Sequence, residues 1–180
     1  MDAEALFQEA RRVWRAARYP VGIALATSNL GRVAARAGRF DESSELLAAA
    51  LTAFEELGSG AFGQETQARR VECFVLAGHF KEALDLVAVL LEAAGENPLL
   101  DPILERLHGY ALVQARRAGE AGPHLQRSLE LAVELDADYE VGLTLEALAR
   151  TRLGDADAEA RGKAILERLG VVSTPRVPLP

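Results

Sequence analysis

Residues 37–43 read Ala37-Gly38-Arg39-Phe40-Asp41-Glu42-Ser43, and the phrase returns at residues 77–83 as Ala77-Gly78-His79-Phe80-Lys81-Glu82-Ala83. Weaker copies follow at Ala118-Gly119-Glu120-Ala121 and Leu153-Gly154-Asp155-Ala156. Each copy lies between two stretches whose apolar residues recur at helical spacing. Glycine commonly ends a helix because it tolerates the left-handed conformation that the end requires. We therefore predict a tight turn between two helices at each copy.

The spacing of the copies predicts a repeat fold. Their glycines lie 40, 41 and 35 residues apart, by subtraction of positions 38, 78, 119 and 154. Helix-pair solenoids repeat over this length. No stretch shows the alternation and β-branched enrichment typical of strands. The predicted fold is all-α, a right-handed superhelical α-solenoid of antiparallel helix pairs with about nine helices.

The repeat domain is predicted to cover residues 1–170. An unpaired helix at 1–18 precedes repeats at about 20–57, 61–93, 101–136 and 138–168. Asp41 is expected to cap the helix that follows it, and Pro123 to lie in the first turn of another. Residues 171–180 contain three prolines, so we predict a non-helical C-terminal tail there.

Composition limits the possible partners and compartment. The 180 residues carry a formal net charge of -7, which disfavours general attraction to nucleic acid or to an anionic membrane. Cys73 is the only cysteine, so an intramolecular disulfide and a cysteine-based zinc site are excluded. No apolar stretch is long enough to span a bilayer. We expect a cytoplasmic protein that binds neither nucleic acid nor membrane.

Two resemblances to known families follow from particular residues. The first predicted pair resembles the tetratricopeptide repeat (TPR) in the positions Leu30, Gly31, Ala34, Gly38, Phe40, Ser43, Leu47 and Ala50. The runs 105–111, 128–132, 138–145 and 169–172 resemble the C-terminal repeat region of large bacterial signalling proteins. Those proteins join a class III adenylate or guanylate cyclase domain, or another effector, to a regulatory ATPase. The resemblance implies a regulatory array without catalytic parts.

Motifs for catalysis or cofactor binding are weak. Residues 58–63 match the spacing G-x-G-x-x-G, but they follow a predicted helix where a dinucleotide site requires a strand. His79, His108 and His124 lie far apart and form no metal-binding helical pair. We predict no catalytic residues, no metal and no cofactor.

One set of residues favours partner binding. If the first helix of each pair lines the concave face, its side chains form a groove rich in arginine, which can bind carboxylates or phosphates with two hydrogen bonds. The alternative is that these side chains form an ordinary solvated, ion-paired surface. The groove candidates are Asn29, Arg32, Arg36, Arg69, Glu72, Arg106, Tyr110 and Arg117. A protein or peptide, with acidic segments favoured, is the expected partner.

The first helix has no predicted neighbour on one side. Phe7 and Trp14 on it are therefore candidates for an oligomer contact, and we predict a homodimer through this helix.

Three functions remain open from the sequence. The leading hypothesis is a non-catalytic protein-interaction and regulatory module, the C-terminal part of a larger signalling ATPase or nucleotidyl cyclase, acting through its partner or its own ATPase domain. The second is a small-ligand sensor that uses the same groove. An enzyme has the weakest claim, because no nucleophile and base, metal set or phosphate loop can be assembled.

Overall fold

The computed structural model describes residues 3–92 and 97–180, and in these ranges it contains nine α-helices and no strand. The helices are α1 (Ala3–Ala16), α2 (Pro20–Arg36), α3 (Phe40–Glu56), α4 (Gly60–Ala77), α5 (Phe80–Glu92), α6 (Asp101–Gln114), α7 (Ala118–Glu134), α8 (Asp138–Thr151) and α9 (Ala158–Arg168). The predicted all-α class is confirmed.

One turn geometry recurs between the helices. A residue with positive φ follows each of α1, α2, α3 and α4. These residues are Arg18, Gly38, Gly58 and Gly78, and by subtraction they are 20 residues apart. The same geometry recurs at Arg116, Asp136 and Arg152. Left-handed backbone costs non-glycine residues about 1–2 kcal/mol, so the glycine copies are the unstrained ones.

The helix ends correct four sequence expectations. We expected a left-handed backbone at Gly119 and Gly154, but Arg116 and Arg152 adopt it instead. Gly119 lies inside α7. Helix α7 therefore begins at Ala118, and Pro123 lies within it and not in its first turn. Asp41 is not a cap, because the N-cap residue of α3 is Arg39. Asp41 still favours the helix through its negative charge in the first turn.

The chain divides into two compact units, residues 1–77 and 78–180. In the first, α2 and α3 run antiparallel, since Ala24 packs with Phe54 while Gly31 meets Leu47. A Cβ placed on Gly31 would lie 2.7 Å from the Leu47 side chain. Helix α4 contacts both α2 and α3. Glycine is needed at position 31 because the two helices approach so closely there.

Helix α1 packs on α2 without burying any residue fully. The Trp14 ring covers Gly22, where an added Cβ would lie 2.5 Å from a ring carbon. Leu6 and Val13 on the same helix are 49% and 48% exposed. The packed side of α1 is thus formed by Phe7, Ala10 and Trp14 at partial exposure.

The second unit contains α5 to α9 and the predicted tail. Helix α6 packs antiparallel on α7 where Gly109 meets Leu125, and α8 packs on α9 where Gly142 meets Leu166. Helix α6 also contacts α8. Residues 171–180 form no helix or strand, yet Val177 is only 6% exposed. The tail therefore has one side chain in the core although it has no regular secondary structure.

None of the described helices combines the length and apolar character that crossing a lipid bilayer requires.

Candidate functional site

The groove candidates of the first unit lie on α2 and α4. Glu72 on α4 accepts hydrogen bonds from two arginines of α2, at 2.9 Å from Arg32 Nε and 2.8 Å from Arg36 Nη2. Burial alone would raise the pKa of Glu72, but the two guanidinium groups together lower it below its usual value. Arg32 and Arg36 keep 30% of their side-chain surface exposed. A partner can therefore still reach both arginines.

Arg69 is buried and occupied within the unit. Its Nη1 donates to Ser28 Oγ at 2.6 Å, and its Nη2 donates to Glu65. Thr66 donates its hydroxyl hydrogen to the Phe62 carbonyl, so Ser28 must donate to Thr66 across their 2.8 Å contact. Burial lowers the pKa of Arg69, and Glu65 opposes that effect. Arg69 thus orders the contact of α2 with α4 and is not a surface group.

Arg106 in the second unit has the same kind of environment. It is 6% exposed, pairs with Glu140, and approaches Thr144 Oγ1 at 3.5 Å. Ser128 donates to the Pro102 carbonyl at 2.7 Å, so Thr144 donates to Ser128. Each unit therefore contains a buried arginine at the start of a chain of hydrogen bonds, which passes through two hydroxyl groups and ends at a backbone carbonyl.

The remaining candidates differ in availability. Arg117 is exposed and pairs with Glu120 three residues later. The Asn29 amide donates to the Leu25 carbonyl of its own helix at 2.9 Å. Tyr110 is 5% exposed, and burial raises the pKa of its hydroxyl, with Arg150 and Arg106 opposing. Their predicted role in partner binding stays a prediction.

The tail lies on a surface of α6 and α8. We define the tail surface as the three residues whose side chains hold it, Gln114, Glu146 and Arg150. Arg150 Nη2 donates to the Val177 carbonyl at 2.6 Å, and Gln114 Nε2 donates to the Pro178 carbonyl at 2.9 Å. The Thr174 hydroxyl donates to Glu146 Oε1 at 2.9 Å.

The contacts of the tail surface are mainly with the backbone of the tail. Two of its three hydrogen bonds go to carbonyl oxygens, which every peptide offers, and the buried Val177 adds one apolar anchor. Sequence reasoning selected the neighbours Arg106 and Tyr110 but missed all three residues of the tail surface. The repeat pattern could have indicated them, because α6 and α8 are the first helices of successive pairs and the first helices were expected to line the concave face.

A cavity of about 330 Å³ lies beside the tail. Its wall is formed by α8, α9 and residues 171–174, and it includes Glu146, Glu159, Lys163 and Leu166. This volume is at the lower limit of small-molecule sites.

Two histidines that the sequence separates are neighbours in the fold. The rings of His108 on α6 and His124 on α7 have centroids 3.9 Å apart, and His124 Nδ1 lies 2.6 Å from Glu105 Oε2. Burial and the adjacent His124 lower the pKa of His108 to about 4. His79 lies in the turn between α4 and α5. Sequence reasoning kept all three histidines apart because it could not align α6 with α7.

Comparison with known proteins shows the fold alone. No protein-family model and no curated protein matches the sequence. Among solved structures, the chain is similar to PlcR of Bacillus thuringiensis, solved in complex with the peptide PapR7 and DNA. The two share 15% sequence identity with a TM-score of 0.63, over 94% of this chain and 66% of PlcR. The fold is TPR-like.

Proposed function

We propose that this protein is a non-catalytic helical-repeat module that binds a peptide segment of a protein partner on the tail surface. Its own C-terminal segment occupies that surface until the partner displaces it. The observation that carries the proposal is the pair of hydrogen bonds from Arg150 and Gln114 to tail carbonyls.

The chemistry of this contact supports a peptide ligand. A charged donor such as Arg150 contributes about 1.5–3 kcal/mol per hydrogen bond when it is partly buried. Val177 is only 6% exposed, so an aliphatic side chain of the bound segment is buried. The PlcR complex contains a peptide, which agrees with such a role for the shared fold.

The test is binding of the tail as a separate peptide. A chain ending at Gly170 is mixed with a labelled peptide of residues 171–180, and binding is followed by fluorescence anisotropy. We expect saturable binding to the shortened chain and at least about tenfold weaker binding to the full chain, whose surface is already occupied. The Arg150→Ala variant of the shortened chain should bind about 10–100-fold more weakly, matching one lost charged hydrogen bond.

Arg127→Ala is the matched control, because Arg127 is an exposed arginine of the same unit that pairs only with Glu130 in the described structure. It should leave peptide binding unchanged. A shortened chain that stays helical by circular dichroism but binds no peptide would contradict the proposal.

A small-ligand sensor is the second candidate, and the cavity beside the tail favours it. Lys163 and Glu159 in its wall can fix a compact polar metabolite. A metabolite that raises the melting temperature of the full chain but not of the chain ending at Gly170 would support this role, because residues 171–174 close the cavity. If no metabolite shifts the melting temperature, the peptide proposal stands alone.

The wider setting is part of the proposal. The resemblance to signalling proteins supports a position next to a regulatory ATPase or nucleotidyl cyclase in the cytoplasm. The net charge of -7 supports a protein partner over a nucleic acid. Arg32 and Arg36 support an acidic segment as a second contact, since both are partly exposed.

A further inference from the structure

Three potential metal ligands converge where α6 meets α7. Glu105 and His108 are three residues apart on α6, so they lie on one face of that helix. His124 comes from α7. One ligand atom of each residue lies within 4.8 Å of the other two.

Close helix packing causes the convergence. An added Cβ on Gly109 would lie 2.6 Å from the Leu125 side chain, so the two backbones approach closely at this point. His108 precedes Gly109 and His124 precedes Leu125. Because Gly109 contacts Leu125, the two histidine rings lie next to each other. This contact belongs to the buried core of the unit, so the ligands are held on rigid helices.

The cluster has an incomplete set of hydrogen bonds. His124 Nδ1 is bonded to Glu105, but His108 Nδ1 is buried and has no hydrogen-bond partner among the described residues. A buried ring nitrogen without a partner loses the free energy that water would have given it. A metal ion is one group that binds such a nitrogen directly.

We propose that Glu105, His108 and His124 form a binding site for a divalent transition-metal ion, of which Zn²⁺ is the natural example. Two imidazoles and one carboxylate suit zinc and its neighbours, whereas Mg²⁺ and Ca²⁺ prefer oxygen ligands alone. Three protein ligands leave the fourth tetrahedral position to water or to an incoming group.

Binding requires only small side-chain movements: His124 Nδ1 and Glu105 Oε2, 2.6 Å apart, exchange their hydrogen bond for bonds to the ion and separate slightly, and the more distant ligand atoms close in. With bonds of about 2.0–2.2 Å, tetrahedral ligand atoms lie about 3.4 Å from one another. All three side chains are partly exposed and not locked in the core, so rotation about their side-chain bonds can bring them in. The ion links α6 to α7 and favours the folded state, because the unfolded chain does not hold this set of ligands together.

The test uses the full chain without a polyhistidine tag, stripped of metal by a chelator and then titrated with Zn²⁺ alone. We expect one ion per chain by calorimetry and a melting temperature that rises with Zn²⁺ concentration. Co²⁺ in place of Zn²⁺ should give the visible absorption of tetrahedral nitrogen and oxygen coordination.

Two ligand variants and one control make the result specific. His108→Asn and His124→Asn should each weaken Zn²⁺ binding by at least about tenfold and abolish the Co²⁺ absorption. His79→Asn removes the chain's other histidine, which lies outside the cluster, and should change nothing. If a histidine variant fails to fold, Glu105→Gln keeps the shape of the side chain, removes its charge, and should weaken binding in the same way.

Any of three results would overturn the site. Zn²⁺ binding is absent above background, it is abolished by His79→Asn, or it survives both His108→Asn and His124→Asn.

Discussion

At the residue scale, single glycines fix how closely the helices pack. Gly31, Gly109 and Gly142 each lie opposite a leucine side chain at a distance that leaves no room for a Cβ. Gly63 in α4 has no such neighbour. The same residue type is therefore a packing requirement at some positions and only a weak helix former at another.

Gly31→Ala and Gly63→Ala form a matched pair of substitutions. Gly31→Ala should lower the free energy of unfolding by about 1–3 kcal/mol, because the added methyl group overlaps Leu47. Gly63→Ala should raise it by up to about 1 kcal/mol, since alanine is the better helix former. Urea denaturation of the three proteins measures both changes. Equal effects of the two substitutions would contradict the close packing of α2 on α3.

At the element scale, the tail packs as a sixth element of the second unit, beside helices α5 to α9. Val177 of the tail is buried, whereas Val172 is fully exposed. Val177→Ala should cost about 1–3 kcal/mol of unfolding free energy, whereas Val172→Ala should cost nothing measurable. Thermal denaturation of both variants checks this. If Val177→Ala has no effect on stability, the tail is not held in solution as the structure has it.

Helix α1 carries the predicted homodimer contact. The predicted homodimer through Phe7 and Trp14 stays a prediction, and both side chains are partly covered by their own chain. The large apolar side chains of α1 that are exposed are Leu6 and Val13.

The dimer prediction is tested with Leu6→Lys combined with Val13→Lys. We expect sedimentation equilibrium to show a dimer for the wild type and a monomer for the double variant, because two charges would have to be buried at the contact. Val89→Lys is the control, since Val89 is 61% exposed and lies on α5. A monomeric wild type would end the hypothesis.

At the scale of the whole molecule, stability should fall in acid. The pKa of Glu72 is lowered in the folded state, so the unfolded chain takes up its proton first as the pH falls. The stabilisation from Glu72 is therefore present above the ordinary carboxyl pKa of 4.5 and is lost as the pH falls through the lower pKa of the folded state.

Glu72→Gln should remove this part of the pH dependence. We expect the variant to be less stable than the wild type at pH 7, by about 1–3 kcal/mol, because Arg32 and Arg36 lose their shared counter-charge. The difference should shrink toward pH 3. Glu55→Gln, on an exposed position of α3, is the control and should track the wild type. Parallel stability curves for wild type and Glu72→Gln would contradict the low pKa of Glu72.

Much of the fold could be predicted from local signals. The phrase around Gly38 and Gly78 placed its turns correctly because glycine is needed where the backbone becomes left-handed. The prediction was wrong around Gly119, because an arginine at position 116 takes that conformation and packing makes up for the strain. Pro123 misplaced the start of α7 for a related reason: a helix held by its neighbours tolerates one lost hydrogen bond.

The candidate site was predicted less well than the fold. The sequence drew attention to arginines at helical spacing, but it could not show that Glu72 pairs with two of them or that Arg69 and Arg106 are buried. Those outcomes depend on which carboxylate of another helix comes within about 3 Å, and such distances follow from packing.

By itself, the sequence determined an all-α repeat chain with helices near their observed places, because helix periodicity and turn residues act over a few neighbouring positions. Only the tertiary structure decided that residues 171–180 lie on α6 and α8, and that Glu105, His108 and His124 meet. Both arrangements join residues far apart in the chain. Their geometry is set by the packing of whole helices, at contacts such as Gly109 on Leu125, and no local pattern encodes it.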